Sequence, residues 1–228
     1  MKHLIKKIFS ILFLFTLKVR GLKFHVTTTT VFLSKFSIKK FNRLQLYNAF
    51  IERSSILIEG ISNQICISGS ITNTKVSVWG NNNQIMIHPA VQLNNSTIVL
   101  RGNNCKIEIG TGSTFGSIYM VCMGKNNFIK VGENCMFAEN VDIWATDSHP
   151  IYNNDNELIN PSKPILIGDF VWVGAKSSIL KGVSIGDGAV VGMSSIVTKN
   201  VAASTLNVGN PLRCIKTNIR WDREFTNS

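Results

Sequence analysis

The chain has 228 residues, 44% of them hydrophobic, and a formal net charge of +11. That length suits one domain with a small extension and excludes an assembly of several large domains. Its five cysteines are odd in number and form no CxxC pair, which excludes a disulfide frame and a cysteine zinc site and fits free thiols in a reducing cytosol.

The excess charge sits at the N-terminus. Residues 1–51 contain ten Lys or Arg and no Asp or Glu. The apolar run 8–17, between Lys6, Lys7, Lys18 and Arg20, is too short to span a bilayer, and no small-residue cleavage site follows it. Three readings stay open. The run is a segment packed on one end of the domain, a cryptic signal or anchor, or part of a basic amphipathic stretch. In the last case residues 1–23 make peripheral contact with anionic lipid at the inner face of the cell membrane. The expected location is cytoplasmic. No recognisable nucleic-acid-binding module accompanies the basic residues, so nucleic acid is not an expected partner. Residues 1–54 read as a basic N-terminal extension.

Residues 55–206 read as the main domain. Gly80-Asn-Asn-Asn-Gln-Ile-Met-Ile recurs as Gly102-Asn-Asn-Cys-Lys-Ile-Glu-Ile and as Gly124-Lys-Asn-Asn-Phe-Ile-Lys-Val, at a constant step. Gly and Asn tolerate the positive φ of tight bends, and Ile-x-Ile suits a short strand with one buried face. An earlier copy, Asn63-Gln-Ile-Cys-Ile, precedes Asn83-Gln-Ile-Met-Ile by a slightly shorter step. The insert at 149–164, rich in Pro, Asn and charge, reads as a loop leaving the repeat.

Six consecutive hexapeptides follow, starting at Ile167, Val173, Ile179, Ile185, Val191 and Val197. The fifth residue of each is small or β-branched: Val171, Ser177, Val183, Ala189, Ser195 and Val201. A period of six is neither helical nor that of a plain strand. It marks a parallel β-helix, in which each unit supplies one short strand and one bend. The period ends after residue 202. Residues 207–228 read as a C-terminal extension with a turn-rich exit and a short helical segment.

Chemistry is sparse. Of four histidines, His149 stands in Thr146-Asp147-Ser148-His149-Pro150, where the coil gives way to the loop. Imidazole is the usual base for activating a hydroxyl near neutral pH, and Asp147 or Asp142 could orient it. Read alone, His149 fits an ordinary surface loop equally well. No paired histidines indicate a metal, no GxxxxGK[ST] phosphate loop is present, and no Cys stands beside a His to suggest a Cys acyl-enzyme.

Residues 131–221 resemble the hexapeptide-repeat acyltransferases, in particular the bacterial O-acetyltransferases of capsule, O-antigen and sialic-acid polysaccharides. The resemblance is carried by Asp147-Ser-His149, Ile159-Asn-Pro, Ile167-Gly-Asp-Phe-Val-Trp-Val-Gly174, Leu180-Lys-Gly-Val, Gly192-Met-Ser-Ser, Val197-Thr-Lys199 and Gly209-Asn-Pro211. Residues 55–130 match loosely and 1–54 not at all. The resemblance implies an all-β, left-handed parallel β-helix with three strands per turn, a homotrimer with active sites between subunits, and acetyl-CoA as co-substrate without a metal.

It also implies roles. His149 matches the catalytic base, with Asp147 and Asp142 as candidate orienting groups. Trp172, Trp144 and Tyr152 fall to the substrate side. Trp172, Gly174, Ala175, Gly192, Ser194 and Pro211 fall to the acetyl-CoA side, with Lys199, Arg213 and Lys216 near the phosphates. Trp172 fits coil packing as well, and the three cations fit a solvated surface. The implied activity is direct transfer of acetyl, in a ternary complex, to a hydroxyl of a cell-surface polysaccharide or its glycan precursor. The basic N-terminal region would suit an anionic acceptor. Alternatives are N-acetylation of an amino sugar or nucleotide sugar, O-acetylation of a small molecule, and a non-catalytic solenoid scaffold.

Overall fold

The computed structural model describes residues 23–224. Short strands repeat around three parallel sheets, and the chain visits each sheet once per coil. Eight complete coils stack into a β-solenoid, and no helix occurs among the described residues. Aliphatic columns fill the interior because paired strands keep their register from coil to coil. Leu44, Ile65, Ile85, Ile107, Ile129 and Ile165 form one column. Another contains Phe115 and Phe137, whose rings stack 4.6 Å apart. Every core side chain therefore meets a similar one above and below, and the fold is stabilised coil against coil.

Among the described residues stacking is present from Lys23 onward, earlier than the repeat pattern indicated. Strand Lys23–Thr27 pairs with Arg43–Tyr47, Thr30–Phe32 with Phe50–Glu52, and Lys35–Ile38 with Ser55–Ile58. Residues 23–54, expected to be extension, are thus coil. The apolar run 8–17 and nearly all of the segment 1–23 lie outside the described residues.

The C-terminal expectation also needs correction. The boundary at 206 falls inside strand Thr205–Val208, which adds one strand beyond the eighth coil. The segment read as helical is instead strand Arg213–Thr217, paired antiparallel with Thr205–Val208. This turns the chain back and covers an edge that would otherwise expose unpaired backbone groups.

Polar ladders inside the corners satisfy the backbone. Asn42, Asn63 and Asn83 are buried one above another, and each amide oxygen accepts the backbone N–H of the next rung, at Asn63, Asn83 and Cys105, at 2.9 Å. Ser34, Ser54, Thr74 and Ser96 form a second ladder. Beside the asparagines, Gly60, Gly80 and Gly102 have positive φ and sit against the next coil. A Cβ on Gly80 would lie 1.9 Å from the carbonyl oxygen of Gly102. Only glycine meets both requirements.

Residues 145–164 leave the solenoid. The strand partner of Ile129 is Ile165, twice as far along the chain as Ile185 lies from its own partner Ile167. The excursion carries a small hairpin bridged at Tyr152 and Leu158.

Candidate functional site

The site residues fall into three groups. The first lies where strand Val141–Trp144 ends and the excursion begins. Alternation along that strand turns Val141 and Ile143 inward and Asp142 and Trp144 outward. Trp144 packs against Tyr119, with ring centroids 5.4 Å apart. Partial burial raises the pKa of Asp142, and its carboxyl makes no hydrogen bond among the described residues.

His149 is exposed shortly beyond Ala145, the last buried apolar residue of the coil. Ser148 adopts φ 64°, and the backbone N–H of His149 donates to the Asp147 carbonyl at 2.7 Å. The imidazole has no hydrogen-bond or ionic partner among the described residues. Asp147 was expected to be able to orient it, but its carboxylate is held by other groups. Lys181 Nζ donates to Asp147 Oδ2, and Asn160 Nδ2 donates to the same oxygen at 2.9 Å. The Lys181 ammonium holds the Asp147 carboxyl below the usual carboxylate range.

Asn160 ties the two arms of the excursion together. Its Nδ2 donates to the His149 carbonyl at 2.9 Å, and its Oδ1 accepts from the Ile151 N–H at 2.6 Å. Lys181 Nζ also donates to the Asn160 carbonyl at 2.9 Å. Ser162 and Thr146 join through their hydroxyls at 3.0 Å. Asp147, Asn160 and Lys181 therefore form a clamp that fixes the backbone carrying His149. Asn160 and Lys181 both stand in the matched stretches Ile159-Asn-Pro and Leu180-Lys-Gly-Val. Their sequence contains the signal, but nothing in it connects two polar residues 21 positions apart. Tyr152 is exposed on the hairpin.

The second group lies on another sheet. Trp172 points outward from strand Trp172–Val173 and is 37% exposed. Gly174 and Ala175 follow at the next corner, directly beneath Gly192 and Ser194 of the succeeding coil. The Ser194 N–H donates to the Ala175 carbonyl at 2.8 Å. A Cβ on Gly174 would lie 2.6 Å from the backbone nitrogen of Met193, and one on Gly192 2.6 Å from Val208 Cγ1. This corner is a narrow backbone ledge against which an extended chain could lie.

The third group surrounds a cavity of about 300 Å³ lined by Lys199, Asn200, Asn207, Pro211, Leu212 and others. Lys199 and Pro211 come together there. Arg213 and Lys216 are exposed on the antiparallel strand and are not among its lining residues.

His149 follows a strand of one sheet and Trp172 lies on another, whereas Lys199 follows a strand of the same sheet as His149. No group of three or more metal-ligating side chains occurs among the described residues.

Residues 164–199 match the family model for the bacterial transferase hexapeptide, six repeats. A curated relative, the polysialic acid O-acetyltransferase of Escherichia coli O1:K1 / APEC, is 40% identical over 91 residues, 40% of this chain. That alignment spans only 30% of the relative's length. Two solved structures are similar over nearly the whole chain. The polySia-specific acetyltransferase NeuO shares 31% identity and a TM-score of 0.71, covering 89% of this chain and 90% of its own. The polysialic acid O-acetyltransferase OatWY shares 27% identity and a TM-score of 0.71, covering 90% and 92%.

Proposed function

The chain belongs to the hexapeptide-repeat acyltransferase family, and on that premise we propose that it transfers acetyl from acetyl-CoA to a hydroxyl of an acidic cell-surface polysaccharide. One observation carries this reading: a clamped loop presents an unpaired imidazole, His149, at the position matching the family's base. The similar proteins named for polysialic acid, together with the net charge of +11, favour an acidic acceptor and make polysialic acid the first to test.

The reaction balances on this chain's groups. His149 takes the proton of the acceptor hydroxyl as the oxygen attacks the thioester carbonyl carbon. Backbone N–H groups stabilise the resulting oxyanion. The C–S bond then breaks, the imidazolium returns its proton to the leaving thiolate, and an O-acetyl ester and free CoA remain. The ledge at Gly174, Ala175, Gly192 and Ser194 suits the pantetheine arm, and Lys199 suits a phosphate.

The separation of His149 and Trp172 on different sheets supports a site built between copies of the chain, in a cyclic trimer. Location on the cytoplasmic side of the membrane, with residues 1–23 at the lipid surface, fits the same reading.

His149→Ala tests the assignment. Transfer is expected to fall by at least about a hundredfold, the contribution of a positioned base, while CoA binding measured by calorimetry stays unchanged. Retained turnover refutes the assigned base.

A further inference from the structure

After strand Arg213–Thr217 the tail runs back along the solenoid, against the direction in which the coils were laid down. It follows one corner, whose residues Gly112, Asn134, Phe170, Gly188 and Ser204 all have positive φ, between 53° and 72°. Each donates its backbone N–H to the preceding coil, at Pro89, Thr111, Glu133, Asp169 and Asp187 respectively. The tail takes up carbonyls of the same row. Ile219 N–H donates to Ser204 O at 3.0 Å, and Trp221 Nε1 donates to Phe170 O at 2.6 Å.

Arg223 reaches farthest. Its Nη2 donates to the carbonyls of Cys135 at 2.7 Å, Asn134 at 3.1 Å and Gly112 at 3.3 Å, and its Nη1 to Thr114 Oγ1 at 2.8 Å. The planar guanidinium thus reads two coils at once, and its carbon lies 6.0 Å from the Trp221 ring centroid. So fastened, Trp221 lies against Trp172, with ring centroids 5.9 Å apart and planes inclined at 43°. The tail and the corner together line a cavity of about 640 Å³ that includes Phe170, Ile219, Arg220 and Trp221.

We propose that residues 219–224 are a strap, buckled by Arg223, whose Trp221 is a positioning residue for Trp172. The proposal rests on Trp172 lining the acetyl-CoA or acceptor site. Trp172 is partly exposed on the outer face of its strand, between Met136 and Val190 of the neighbouring coils, so the core does not hold its ring. Trp221 supplies a tilted aromatic neighbour, and its hydrogen bond to Phe170, just ahead of Trp172 in the chain, ties the neighbour to the same strand.

The test uses the full chain, with acetyl-CoA as donor and polysialic acid as acceptor. Trp172→Ala first identifies the substrate whose KM depends on that ring. Trp221→Ala and Arg223→Ala are expected to raise the same KM about threefold to tenfold, the worth of one aromatic contact, with kcat within about twofold. Trp221→Phe keeps a ring and restores most of the loss, which separates positioning from folding. Trp172→Ala/Trp221→Ala should be no worse than Trp172→Ala alone. CoA binding by calorimetry makes the same comparison without an acceptor.

If Trp172→Ala raises KM while both strap variants match the wild type, the strap proposal fails and the site stands. If Trp172→Ala changes neither KM nor CoA binding, the placement of Trp172 in the site fails first, and the proposal with it. A lower KM in Arg223→Ala would show the strap obstructing the site and would also overturn the proposal.

Discussion

At the scale of single residues, His149 depends on groups that do not touch its ring. Asp147, Asn160 and Lys181 fix the backbone on which it stands. Lys181→Ala should lower kcat by about tenfold to a hundredfold, the usual consequence of misplacing a reacting group by an ångström. CoA binding should change less than kcat, since strand Ser178–Leu180 separates Lys181 from the ledge at Gly174. The acid response has a definite sign. The Asp147 pKa is depressed in the folded chain, so its contribution is complete above the unfolded value of about 3.9 and is lost as pH falls through the lower folded value. Protection from hydrogen exchange in residues 147–160, taken relative to an unstructured chain at the same pH, should therefore be constant down to about pH 4 and fall below it. Protection already lost near neutrality would show that the ion pair does not hold the loop. The sequence marked His149 by its place at the break in the repeat. It offered Asp147 as a candidate orienting group but not its pairing with Lys181, because proximity along the chain says nothing about a lysine one coil away.

At the scale of elements, the ladders explain both why the coils stack and why the sequence reveals some of them. Buried asparagine recurs at 42, 63 and 83 because each rung must supply an acceptor for the N–H above it. Asn83→Ala would strand the Cys105 N–H and the Gly102 carbonyl, at a cost of about 2–4 kcal/mol for two buried groups. Cys105 interrupts the ladder: its thiol reaches the Gly124 carbonyl at 3.3 Å but offers a poor acceptor to the next rung. Cys105→Asn should restore that rung and raise the stability by about 1 kcal/mol. Chemical denaturation measures both variants, and a stabilising Asn83→Ala would contradict the ladder. The coils at 80–131 were legible because Gly and Asn recur at a constant step. The coils at 23–54 were not, because Thr28, Leu33, Phe41 and Arg53 hold four of their positive-φ corners and only Asn48 carries the Gly or Asn signal. The strap was out of reach for another reason: Arg223 is 109 residues from Thr114, and no local pattern encodes that contact.

At the scale of the whole molecule, the solenoid is a rigid post that holds its chemical groups apart. The clamped histidine and the backbone ledge lie at opposite ends of the strands of one sheet, which is the arrangement expected if neighbouring copies complete each site. The hexapeptides at 167–202 were plain in the sequence because every coil there is built from three units of one length, and their likeness to known acyltransferases carried the family. The acceptor was not legible, since most of the scaffold before them differs from the hexapeptide pattern in step and corner chemistry. The most direct measurement is transfer of labelled acetyl from acetyl-CoA to polysialic acid, with the product treated with mild base. The account predicts label in the polymer that base releases as acetate, and its loss in His149→Ala with CoA binding intact. Base-stable label, as from an amide, or equal labelling by His149→Ala, would contradict it.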